Sequence, residues 1–120
     1  HKLKFYFLDP KWFVPCAGQG ALALETRLDS PHLKVLQKLN CSTTEKCVAI
    51  EREVLSLLGG DCTLPVGIHT YFERDKLYGN AVLSIGPHNS LIRVSHEFDK
   101  GDKISHCAQK LFASLKSKGA

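Results

Sequence analysis

No run in the 120 residues approaches the eighteen consecutive apolar side chains that a bilayer-crossing helix needs, which excludes such a helix. A signal peptide is missing too. The opening HKLKFYFLDPKWF mixes basic and aromatic residues and has no long apolar core. Methionine is absent from the whole chain, so His1 reads as an internal position of a longer product. There is no C-x-x-C, and the five cysteines (Cys16, Cys41, Cys47, Cys62 and Cys107) are odd in number and well separated. Secreted disulfide frameworks are denser and even, so a reducing compartment is expected. Cys41 and Cys47 do not have zinc-ligand spacing and the six histidines are dispersed, so no metal site is expected. Sixteen basic residues face twelve acidic ones, a net charge of +4, with no interleaving of basic and aromatic side chains. That pattern does not make a nucleic-acid interface. Internal repeats and low-complexity tracts are lacking as well.

What is present suffices for one ordinary domain: 43% hydrophobic and 23% charged residues. LKFYFL (3–8) and ALALE (21–25) read as short apolar strands, separated by a connector punctuated by Pro15, Gly18 and Gly20. Ser30-Pro31 starts a short helix with Leu33, Leu36 and Leu39 as its stripe, ended by Asn40. Ser42-Thr43-Thr44-Glu45 has the form of a capping box. It opens a helix with Cys47, Ile50, Val54, Leu57 and Leu58 at helical spacing, closed by Gly59 and Gly60. Three strands follow: VGIHTYFER with a turn at Arg74-Asp75, then KLYGNAVLSI with a turn at Gly86 to Asn89, then SLIRVSHEF. A last helix from about Asp102 carries Ile104, Cys107, Ala108, Leu111, Phe112 and Leu115 on one face and is closed by Gly119. Residues 41–120 therefore predict an α+β fold, a three-stranded antiparallel sheet covered by helices. Residues 1–40 do not fit that plan and look for partners elsewhere.

Chemistry concentrates in GGDCTLPVG (59–67). Cys62 sits between a glycine pair and Pro65, which holds Leu64 extended. A cysteine at a helix exit reads either as a small buried hydrophobe or as a reachable nucleophile. Gln19 and Gly20 read as a plain turn. Arg52 reads as a solvated helix charge paired with Glu45 or Glu53. His69 and His106 read as surface or half-buried side chains.

VPCAGQGALALETR (14–27), Glu51-Arg52 and DCTLPVG (61–67) together resemble hydroxymethylbilane synthase, also called porphobilinogen deaminase. The matching positions are Pro15, Gly18, Gln19, Gly20, Ala21, Glu25, Glu51, Arg52, Gly60, Cys62, Pro65, Val66 and Gly67, in the family's order. Cys16 and Asp61 depart from it, each standing where a small residue is usual. The resemblance implies an enzyme of tetrapyrrole (heme or chlorophyll) biosynthesis, cytoplasmic or plastid. It joins four porphobilinogens into hydroxymethylbilane with release of ammonia. A dipyrromethane cofactor would be bound covalently, as a thioether to Cys62, with Gln19, Gly20 and Arg52 beside it. The resemblance makes residues 1–40 the end of a second domain, the hinge, and the returning strand and helix of a first domain. Residues 41–120 become the cofactor-anchoring domain. Partners would be porphobilinogen, the growing pyrrole chain and the remaining N-terminal domains. No catalytic residue is expected within these 120, since the family's catalytic aspartate and most of its anion-gripping arginines lie upstream, so the segment alone would be inactive. The alternative is a stand-alone binding or regulatory module with the same fold and no catalysis.

Overall fold

The computed structural model describes residues 3–60, 64–86 and 90–120. The chain forms helices α1 (Leu33–Gln37) and α2 (Ser42–Leu57), strands β1 (Val66–Glu73), β2 (Lys76–Ile85) and β3 (Ser90–Asp99), and helix α3 (Ile104–Ser117). The strands form one antiparallel sheet in the order β1-β2-β3, so β1 and β3 are its edges. The α+β reading holds, with strand bounds within a residue of those expected.

Register explains which face is covered. Val66 pairs with Leu83 and Leu83 with Ile92, Ile68 with Ala81 and Ala81 with Val94, Phe72 with Leu77 and Leu77 with Phe98. Side chains two apart share a face, so these apolar triplets stack into one sheet surface. Helices α2 and α3 close over it with Ile50, Val54, Cys107, Ala108, Leu111 and Leu115, all buried. Gly79 leaves the space that α3 needs, since a Cβ there would stand 3.0 Å from Leu111 Cδ1.

Both long helices end in the same way. Gly59 takes φ +67° and donates its N–H to the Ser56 carbonyl, while the Gly60 N–H reaches the Leu55 carbonyl. Gly119, at φ +104°, and Ala120 repeat the pattern on Lys116 and Leu115. These are Schellman closures, which satisfy carbonyls that the last turn would otherwise leave bare.

Four expectations need correction. The capping box does not form: Ser42 is already helical, Cys41 occupies the N-cap position, and the Glu45 carboxylate accepts instead from the Asn40 amide at 2.7 Å. The helix expected from Ser30 begins at Leu33 and buries no residue fully, because no other helix or strand among the described residues packs against it. Residues 3–8 and 21–25 are not strands. Their pattern suits a strand, but a strand needs a ladder partner, and the sheet offers them none. Phe7 and Leu22 consequently stand 94% and 97% exposed.

The connector between those two segments does meet the sheet. The Arg93 guanidinium donates to the Trp12 carbonyl at 3.0 Å, and the Pro15 carbonyl accepts the Ile68 N–H at 2.8 Å. Residues 12–15 thus cross the helix-free face from β3 to the outer edge of β1. They run so close to Gly67 that a Cβ there would meet the Val14 carbonyl oxygen. No helix among the described residues is long and apolar enough to cross a membrane.

Candidate functional site

Beyond Pro15 the chain turns twice, with Gly18 at φ +73° and Gly20 at φ +88°, the left-handed region where glycine is at ease. The turn is stitched internally. The Gln19 N–H donates to the Cys16 carbonyl and the Ala21 N–H to the Gly18 carbonyl, while the Cys16 N–H reaches Gln19 Oε1 at 3.2 Å. Gln19 and Gly20 are exposed on it, and nothing lies within 4 Å of where a Gly20 Cβ would be. Together with the first half of α2 and with β1 from His69 to Phe72, this turn encloses an open cleft of about 370 Å³.

At the floor of the cleft lies Glu51, only 4% exposed. Its Oε2 accepts the Gly18 N–H at 2.6 Å. Its Oε1 accepts the Thr70 N–H at 2.7 Å; the single Thr70 hydroxyl proton is shared between this oxygen at 3.1 Å and the Cys47 carbonyl at 3.0 Å, and His69 Nδ1 lies 3.8 Å away. Buried carboxyl oxygens need hydrogen-bond donors, and here both have them. The same bonds serve the edge strand: the outward N–H groups of Ile68 and Thr70 are taken by Pro15 and Glu51, which blunts an edge that would otherwise recruit another strand. His69 stacks on Tyr71 and Tyr71 on Tyr78, at 5.5 and 5.4 Å between ring centroids.

The candidate residues divide. Gln19 and Gly20 come together at the cleft. Arg52 is exposed on α2, outside the lining, and among the described residues makes no ion pair with Glu45 or Glu53. Cys62 lies outside the described residues. Glu51 and Thr70 were not singled out as site residues by their sequence context. The usable signal for Glu51 was its place four residues after Cys47 and three before Val54, on the apolar stripe of α2. A second hollow of about 420 Å³, between the starts of α2 and α3, holds none of the candidates. Lys46 closes it by donating to the Lys100 and Asp102 carbonyls at 2.7 and 2.6 Å.

The other cysteines sort by environment. Cys47 and Cys107 are buried, and burial pushes both thiols above their ordinary pKa. Cys16 and Cys41 are exposed. The Thr44 hydroxyl, with the Thr44 and Thr43 amides at the start of α2, draws the Cys41 thiol below its ordinary pKa.

No protein-family model matches the chain. Over 112 residues, 93% of its length, it is 38% identical to the porphobilinogen deaminase of Caldicellulosiruptor saccharolyticus. Over 115 residues, 95% of its length, it is 33% identical to that of Coxiella burnetii and 31% to that of Oceanobacillus iheyensis. The chain spans 36% to 38% of the length of these relatives. Nearly all of it is therefore homologous to one part of porphobilinogen deaminase.

Proposed function

We propose that the chain is the carboxy-terminal portion of a porphobilinogen deaminase and carries the attachment point of its dipyrromethane cofactor, Cys62. The observation that carries this reading is homology along almost the whole chain, with Gly-Gln-Gly-Ala, Glu-Arg and Cys-x-x-Pro all present in order. In the whole enzyme, four porphobilinogens would be joined into hydroxymethylbilane, with ammonia released at each step. Residues 1–40 would belong to the hinge and the neighbouring domains, and 41–120 would form the anchoring domain.

The residues described suit such a group. The Gly59-Gly60 closure ends α2 two residues before position 62 in the sequence. A Cβ at Gly60 would stand 2.6 Å from Leu64 Cδ2, so Gly60 is packed tightly against Leu64 and Leu55. At the cleft, Gly20 leaves free space, and the Gln19 amide nitrogen has no partner among the described residues. An amide N–H₂ and the exposed Arg52 guanidinium are the donors that carboxylate-bearing pyrroles require. A thiolate is a soft nucleophile suited to holding an electrophilic pyrrole methylene as a thioether.

The test is peptide mapping by mass spectrometry of the full-length gene product, with a colour reaction for pyrroles. A pyrrole adduct on the peptide containing Cys62, abolished in Cys62→Ser, is the expected result. An adduct on another cysteine, or a fully active Cys62→Ala enzyme, overturns the reading.

A further inference from the structure

We infer that Glu51 is the positioning residue for the Gly18–Gly20 turn, a tether that holds the exposed Gln19 and Gly20 at a fixed place beside β1. The inference rests on the proposed function only in taking that turn to face the bound group; the tether itself stands on geometry. Apart from the Gly18 amide, the hydrogen bonds of residues 16–21 described above close within the turn. The Gly18 N–H donates outward, 2.6 Å to Glu51 Oε2. Gly18 has no side chain with which to pack, and the nearest neighbour of a Cβ there would be Val48 Cγ1 at 3.8 Å. Ala17 packs against the core on the inner side of the turn, but nothing packs on Gly18 itself, so its amide is placed by the Glu51 carboxylate.

The other oxygen of Glu51 is committed to β1 through the Thr70 amide at 2.7 Å, with the Thr70 hydroxyl at 3.1 Å. One side chain on α2 thus joins the connector to the sheet edge, and it does so because a carboxylate is acceptor-only on both atoms. Glutamine has the same shape but turns one of those atoms into a donor. The buried Thr70 N–H must still be met by an oxygen, and the Thr70 hydroxyl divides its one proton between Glu51 and the Cys47 carbonyl, so the remaining oxygen stays with the Thr70 amide. The new N–H₂ is then set against the Gly18 N–H, donor to donor.

Residue-resolved hydrogen exchange on this chain tests the tether without reading deaminase activity, so its failure and the failure of the pyrrole reading are separate results. In Glu51→Gln the amides of Gly18, Gln19 and Ala21 should exchange about tenfold faster or more, with those of Val54 and of β2 unchanged. Thr70→Val removes the hydroxyl and leaves both carboxylate oxygens to the two amides, so the turn should keep its wild-type exchange. Unchanged turn amides in Glu51→Gln overturn the inference. So does acceleration spread evenly over α2 and the sheet, or a loss of turn protection in Thr70→Val equal to that in Glu51→Gln.

Discussion

Gly67 shows how one absent methyl group lets two segments meet. It lies on the helix-free face of β1, where the Val14 carbonyl sits in the space a Cβ would occupy and Val82 Cγ1 stands at 3.0 Å. The obstacle is backbone, which cannot swing aside as a side-chain end can. Gly67→Ala should lift residues 12–15 from the sheet at a cost of about 1–3 kcal/mol, read as a lower urea midpoint together with faster exchange of the Ile68 amide. An unchanged midpoint would mean that the crossing segment contributes nothing to stability. His96 gives a pH-dependent case. Its ring lies 2.7 Å from the Ser114 hydroxyl, and burial, helped by the Lys110 charge, lowers its pKa below the ordinary 6.5. The unfolded chain therefore takes up this proton more readily than the folded one. The stabilising contribution of neutral His96 is fully present above pH 6.5 and is lost as pH falls through the folded value. His96→Gln should show a smaller drop in melting temperature between pH 7.5 and 5 than the parent; an equal drop would assign the acid sensitivity to other groups.

At the level of elements, α3 closes the sheet with Cys107, Ala108, Leu111 and Leu115, all buried. Leu111 is fully buried and lies over Gly79 and beside Phe98. Leu111→Ala should cost about 2–5 kcal/mol, measured by chemical denaturation, whereas Lys110→Ala on the exposed face should stay within about 0.5 kcal/mol. A small loss at Leu111 would show that the sheet and α2 hold together without the α3 lid. The same elements show what local sequence can specify. Strand alternation and the turn at 74–75 placed the strands, because side-chain period and turn chemistry are decided within a few residues; of the turn expected from Gly86 to Asn89, residues 87–89 lie outside the described residues. Gly59 and Gly119 marked the helix ends for a similarly local reason, their positive φ. The capping box failed because Asn40, just outside the motif, competes for Glu45. The role of Glu51 was hidden for the opposite reason: its partners, Gly18 and Thr70, lie far away along the chain and on opposite sides of it. No periodicity encodes that meeting. Likewise, LKFYFL reads locally as a strand, yet whether it becomes one depends on a partner that no local pattern supplies.

For the whole molecule, the distribution of apolar surface is uneven in a way that bears on behaviour. Residues 42–120 bury a continuous core between the sheet and two helices. Residues 3–28, by contrast, present Leu3, Phe5, Phe7, Trp12, Leu22 and Leu28, all more than two-thirds exposed. Apolar surface on that scale marks a place where something docks. On the proposed function it is the interface with the rest of a deaminase, of which this chain matches little more than a third. Two consequences follow for the chain handled by itself. Incubated with porphobilinogen it should release no hydroxymethylbilane, and turnover at an ordinary enzymatic rate would defeat the view that the catalytic groups lie elsewhere. It should also self-associate as concentration rises, because the uncovered segments will find one another. Light scattering coupled to size exclusion would show masses above the monomer's 13.3 kDa. Replacing Phe5, Phe7 and Leu22 together with lysine should restore the monomer without moving the melting temperature, since none of the three touches the core. A wild-type chain that stays monomeric at high concentration, with the amides of residues 3–8 as protected as those of β2, would show that these segments have found a seat within the chain and need no partner.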